Sequence, residues 1–119
     1  MFQAQLLIVG VNGATTKVYS PWFPKGGDNL RVSAELVAVD GGTLTVKVYT
    51  KAKAQTSDGT LVTPASSNIA LSAVGRDTKE YTGLNELVRY AFECSGSAAG
   101  KWALFRALNP VFFDTIVAP

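Results

Sequence analysis

Histidine is absent from this 119-residue chain, and cysteine occurs once, as Cys94. Without histidine there is no Ser/His or Cys/His pair to activate a nucleophile, and zinc-type sites lack ligands in number. One cysteine excludes a disulfide within the chain. Charge is sparse: 17% of residues are charged against 47% hydrophobic, far from a disordered composition. The formal net charge is only +2, and Lys and Arg are scattered, unlike the clustered cations of a nucleic-acid binder. Long Ala/Glu/Lys/Leu runs are missing. So is any apolar run of membrane-spanning length, and the run Leu6 to Val9, behind a Met-Phe-Gln start without basic residues, is too short for a signal peptide. The expectation is a protein synthesised and folded in a reducing cytoplasm, with no membrane association.

Other chemistry is equally thin. Asp28, Asp40, Asp58, Asp77 and Asp114 are isolated, with no EF-hand spacing. Glu35, Glu80, Glu86 and Glu93 supply carboxylates, but nothing in the sequence brings a glycosidase pair together. Gly26-Gly27 lacks the GK[ST] ending of a phosphate loop. The reading is therefore non-enzymatic, with no cofactor.

What the chain has in quantity is Val, Thr, Tyr, Phe and Gly. Alternating apolar stretches with turn signals at short intervals predict an all-β fold over residues 1–119: a single-domain antiparallel β-sandwich or jelly roll of about eight strands. Phe2 to Val9 reads as a strand, followed by an Asn12-Gly13 turn and a β-rich Thr15 to Ser20. Leu30 to Val39 and Thr43 to Ala54 read as a hairpin about Asp40-Gly41-Gly42. Its register pairs Ala38 with Leu44, Leu36 with Val46 and Ala34 with Val48 inside, and sets Glu35 across from Lys47 and Arg31 across from Lys51 outside. Lys47, Lys51 and Lys53 share a face that is either solvated or a lysine-protected edge. Short strands are expected at Leu61 to Thr63 and Ile69 to Val74. Gly75 to Gly83 reads as a charged, turn-rich exposed segment.

Glu86 to Asn109 is the densest large-apolar stretch. A helical stripe fits Leu84, Leu87, Val88, Ala91 and Phe92, but Val88, Tyr90, Phe92 and Cys94 alternate, so a second hairpin about Gly96 to Gly100 is preferred. That register puts Val88, Phe92, Cys94, Trp102, Leu104 and Leu108 in the core, with Tyr90 and Arg106 at its margin. Arg89, Ala91, Glu93, Ala103, Phe105 and Ala107 fall on the other face, either solvated or packed on a neighbouring subunit. Val111 to Val117 reads as a last strand pairing with an early one.

Ser20 to Asn29, SPWFPKGGDN, reads as a loop without regular structure, stiffened by two prolines. Trp22 and Phe23 either fold back as a lid on the core or stand out as rigid contact residues. The residues assigned to partner contact are Tyr19, Trp22, Phe23 and Lys25 in and beside this loop, and Phe105 on the back of the second hairpin.

Three stretches together carry a resemblance: SPWFPKGGDN followed by LRVSAELVAV, then LVRYAFECSG, and WALFRALNPVFFDT near the C-terminus. In layout and aromatic placement the chain resembles the small jelly-roll proteins that decorate or cement the capsids of tailed bacteriophages. The resemblance implies a structural role on the capsid surface of a virion, with the major capsid protein as partner and a homotrimer as the working unit. Two alternatives stand beside it. One is a carbohydrate-binding sandwich using Trp22, Phe23 and Trp102 as a stacking platform, and the other is a tail or baseplate subunit.

Overall fold

The computed structural model describes residues 4–9, 16–62, 68–96 and 102–114. The Asn12-Gly13 turn, most of the Gly96 to Gly100 loop and the end of the expected last strand lie outside the described residues. Those described form no helix. They form β1 (Ala4–Val9), β2 (Thr16–Tyr19), β3 (Phe23–Pro24), β4 (Asn29–Asp40), β5 (Gly42–Lys51), β6 (Thr60–Leu61), β7 (Ile69–Leu71), β8 (Gly75–Tyr81), β9 (Leu87–Gly96), β10 (Trp102–Ala107) and β11 (Val111–Phe113).

All strand pairing is antiparallel, in two sheets. In the first, β10 lies between β1 and β4, and β8 takes the far edge of β4. β11 resumes the line of β10 along β4 after the Asn109-Pro110 break, pairing Val111 with Arg31. In the second sheet β9 and β5 are central. β2 and β3 form one interrupted strand on the outer edge of β9, and β6 and β7 form another on the outer edge of β5. Taking each interrupted strand as one, eight strand positions in chain order run first, second, first, second, second, first, second, first between the sheets. The first sheet holds positions one, eight, three and six, and the second holds two, seven, four and five. That order is a jelly roll, two four-stranded sheets face to face.

This topology corrects both expected hairpins. β4 and β5 do not pair with each other, and neither do β9 and β10; each couple crosses from one sheet to the other. Val32, Ala34 and Leu36 still point inward, as do Leu44, Val46 and Val48, but they meet across the core instead of side by side. Alternation fixes which face of a strand is buried, and it is blind to whether the next strand is a neighbour in the sheet or a partner across it. The glycines at the first crossing fit the crossing. Gly41 has φ of +68°. A Cβ on Gly42 would lie 2.9 Å from Cys94 Sγ and 3.1 Å from the Trp102 carbonyl oxygen, so a side chain there would crowd both β9 and β10.

Crossing also reverses the expected faces of β10. Ala103, Phe105 and Ala107 are buried, whereas Trp102, Leu104 and Leu108 are half-buried. Phe105 packs its ring 4.9 Å from Phe92 at the end of an aromatic row through the core. The row continues from Phe92 to Tyr90 at 5.9 Å, Phe23 at 5.4 Å and Phe112 at 6.2 Å. The last three contacts are edge to face, an arrangement that adds about 0.5–1.5 kcal/mol each beyond burial. Tyr90, expected at the margin, is fully buried, and Arg106 points outward to Glu35. Cys94 is a free, buried thiol, as its alternating apolar position predicts.

Two further expectations are corrected. Gly75 to Tyr81 is a strand, pairing with β4 from Leu36 to Leu30. Its charge belongs to an edge strand, where Arg, Lys and Glu blunt unwanted pairing. Within SPWFPKGGDN, Phe23 and Pro24 pair with Val88 and Leu87. Ser20 makes this possible. Its N–H donates to the Tyr90 carbonyl at 2.9 Å, and its Oγ accepts from the Tyr90 N–H at 2.9 Å, which closes the ladder just before Pro21 interrupts it.

Candidate functional site

The outward face of the second sheet follows from strand alternation. Reading across the register gives three rows: Arg89, Tyr49 and Leu61; Tyr19, Ala91 and Lys47; Lys17, Glu93 and Thr45. Lys51 continues the outward line of β5. The link between β2 and β3 lays Trp22 over the same face, its ring 4.5 Å from Lys51 Nζ and 4.7 Å from the Arg89 guanidinium carbon. Gly59 makes room for the indole. It has φ of +84°, and a Cβ there would lie 2.7 Å from the Trp22 ring and 2.8 Å from the Thr50 carbonyl oxygen.

Arg89 is the centre of this arrangement. Its guanidinium sits 4.3 Å from the Tyr19 ring centre, 4.7 Å from Trp22 and 5.7 Å from Tyr49, while Tyr19 and Tyr49 meet edge to face at 6.3 Å. Cation–π contacts are worth about 0.5–2 kcal/mol each, more as water is excluded. The Arg89 side chain is only 15% exposed. Its Nη2 donates to the Asp58 carbonyl at 3.3 Å, with the Asp58 carboxylate at 4.0 Å and fully exposed. The buried Nε–H of Arg89 has no acceptor among the described residues. Glu93, 7% exposed, holds Lys47 at 3.3 Å through Oε1, and its Oε2 has no hydrogen-bond partner among the described residues.

The first sheet's outer face is built differently. Arg31 bonds Glu80 at 3.1 Å, Ser33 bonds Thr78 at 2.9 Å, and Glu35 meets both Arg76 at 3.6 Å and Arg106. The Arg106 hydrogen bond, with Arg76 adding to it, holds the Glu35 carboxyl below its ordinary range. The expected outer pairs, Glu35 with Lys47 and Arg31 with Lys51, do not form, because their strands lie in different sheets. Lys47 and Lys51 are not on a sheet edge either, since β5 is an interior strand.

The five residues assigned to contact separate. Tyr19, 44% exposed, and Trp22, half-buried, join the Arg89 cluster. Lys25 ties its loop to the β8–β9 connection, its Nζ donating to the Leu84 carbonyl at 3.3 Å and lying 3.7 Å from Asp28. Phe23 is 6% exposed, a core lid. Phe105 is fully buried, which corrects its expected place on an outer face. Trp22, Phe23 and Trp102 form no common platform: Phe23 is internal, while Trp22 lies by Thr50 at one end of β5 and Trp102 by Gly42 at the other. At strand rise those ends are roughly 26 Å apart.

Tyr49, Arg89 and Lys51 were not singled out by sequence as one site. The alternation of Lys47, Tyr49 and Lys51 was the available signal, but it carries no record that Trp22 arrives from another strand. Buried reactive groups are inert in type: burial pushes the Cys94 thiol up, and Tyr81, donating to Asn68 Oδ1 at 2.9 Å, is pushed up to about 12. No three His, Cys, Asp or Glu side chains gather among the described residues. Comparison with protein-family models and with curated proteins finds no match.

Proposed function

We propose that this chain is a non-enzymatic structural protein of a virion, which decorates and cements a bacteriophage capsid by bridging major capsid protein subunits. The docking surface is the outer face of the second sheet with the adjoining Ser20 to Asn29 segment, presenting Tyr19, Trp22, Tyr49 and Arg89. The observation that carries this is the fixed aromatic and cationic cluster on a rigid sheet, a low-entropy surface of the kind that anchors protein interfaces. The jelly roll adds support by analogy of fold, since viral capsid domains use it repeatedly. Cations already lie over the Trp22 and Tyr19 rings, which favours a protein partner over sugar stacking. As a trimer, each copy held beside the next would bind the lattice with an avidity above that of any single contact.

The test is co-sedimentation of the purified protein with capsids lacking it, alongside light scattering after size exclusion. The expected result is saturable binding at a repeating lattice position and a trimeric mass. Glycan binding by a monomer, without capsid binding, would instead support the carbohydrate alternative. Electron microscopy locating the protein only on tails would support the tail-subunit alternative.

A further inference from the structure

We infer that Arg89 is the receiver for a partner carboxylate, and that the outer face of the second sheet takes an acidic polypeptide segment. The inference deepens the docking reading above and rests on it for the identity of the face.

Charge complementarity selects the occupant. Outward positions on the strands of this face carry four cations, Lys17, Lys47, Lys51 and Arg89, against one carboxylate, Glu93. Glu93 is already engaged by Lys47. On the first sheet, by contrast, Arg31, Arg76 and Arg106 each have a glutamate on the adjacent strand. The second face therefore has cationic capacity that its own strands do not neutralise.

Arg89 has the geometry to use that capacity. Three rings hold its guanidinium, so little side-chain freedom remains to be lost on binding. Rings satisfy the cation's charge but accept its N–H groups poorly, and the edge of the guanidinium that an incoming acceptor can reach is Nη2, where the exposed Asp58 lies. A carboxylate is the ligand that matches a guanidinium fork with two parallel hydrogen bonds. The chain already supplies a loose stand-in, the fully exposed Asp58 carboxylate at 4.0 Å. A partner's Asp or Glu that displaces it would gain the closer, better-aligned bond. Single-stranded nucleic acid fits less well, because it needs open ring faces for its bases and here cations cover them.

The experiment is fluorescence anisotropy of the whole protein with a labelled oligoglutamate peptide at low salt, beside a labelled oligothymidylate of similar length. The peptide is expected to bind, to weaken with added salt, and to lose at least about tenfold in affinity in Arg89→Gln, the scale of one charge-assisted hydrogen bond. Arg31→Gln, on the other sheet, should stay within about twofold. Asp58→Asn lies on an exposed loop and gives an answer independent of the stability of Arg89→Gln: affinity should rise. Absent peptide binding, equal losses in Arg89→Gln and Arg31→Gln, weaker binding by Asp58→Asn, or binding of the oligothymidylate alone would each overturn the inference. Co-sedimentation separates the two proposals. Capsid binding that Arg89→Gln leaves intact contradicts the carboxylate receiver while the docking role stands. Arg89-dependent peptide binding without capsid binding supports the receiver and removes the capsid role.

Discussion

The two outer faces of this sandwich spend their charges in opposite ways. On the first sheet, charges sit opposite one another along β4 and β8, so that Arg31 meets Glu80 and Glu35 meets Arg76 and Arg106. On the second, cations lie on aromatic rings, and the carboxylate Glu93 is nearly buried beneath its neighbours. The first arrangement is nearly closed, because each arginine meets a glutamate within the fold, Glu35 serving two of them. The second fixes more cations than its strands neutralise, with Glu93 engaging Lys47 and only the loosely placed Asp58 near Arg89. The difference teaches that electrostatic surplus, more than exposure, marks a surface prepared for something else.

Substitutions can break this contrast. The largest stability effect is expected at Gly59→Ala, which combines an unfavourable positive φ with a Cβ driven into Trp22 and the Thr50 carbonyl. The loss should be about 2–4 kcal/mol in denaturant unfolding, with a shift in tryptophan emission as the indole leaves its slot. A smaller loss is expected for Glu93→Gln, which removes the charge facing Lys47: about 1–2 kcal/mol, reduced from a fully buried pair because Lys47 keeps some solvent. The matching change on the first sheet, Glu80→Gln, breaks an exposed pair and should cost no more than about 0.5 kcal/mol. Equal losses for the two glutamates would erase the distinction between the faces.

The smallest effect is a pH dependence on the first sheet. The folded Glu35 carboxyl lies below its ordinary value of 4.5, chiefly through the Arg106 hydrogen bond. Its contribution is therefore fully present above that value and is lost as pH falls through the lower, folded one. Thermal melts from neutral pH into the acid range should show Glu35→Gln losing less of its stability on acidification than the wild type. Parallel curves for the two proteins would remove Glu35 from the acid response.

Much of the fold was legible in the chain. Alternation marked the inward residues of β4, β5 and β9, including Cys94, and the turn spacing matched a jelly roll. Sequence did not reveal that β4 and β5, and likewise β9 and β10, lie in different sheets. A glycine-rich turn between alternating strands has the same pattern in a hairpin and in a crossing, and the choice depends on the closer neighbours each strand finds elsewhere. That one ambiguity moved Phe105 from surface to core and mispaired Glu35 and Lys47. It also hid the candidate site, whose parts are Tyr19, Trp22, Tyr49, Lys51 and Arg89. They come from three separated stretches and meet only because β2, β9 and β5 lie side by side, with Trp22 folded across them.

The central claim is that the second sheet, and not the first, faces the partner. Hydroxyl-radical footprinting of the protein free and bound to capsids tests it most directly. Protection is predicted at Tyr19, Trp22, Tyr49 and Leu61, with labelling of Val111 on the first sheet unchanged. Protection at Val111 with undiminished labelling of Tyr19 and Leu61 would contradict the account.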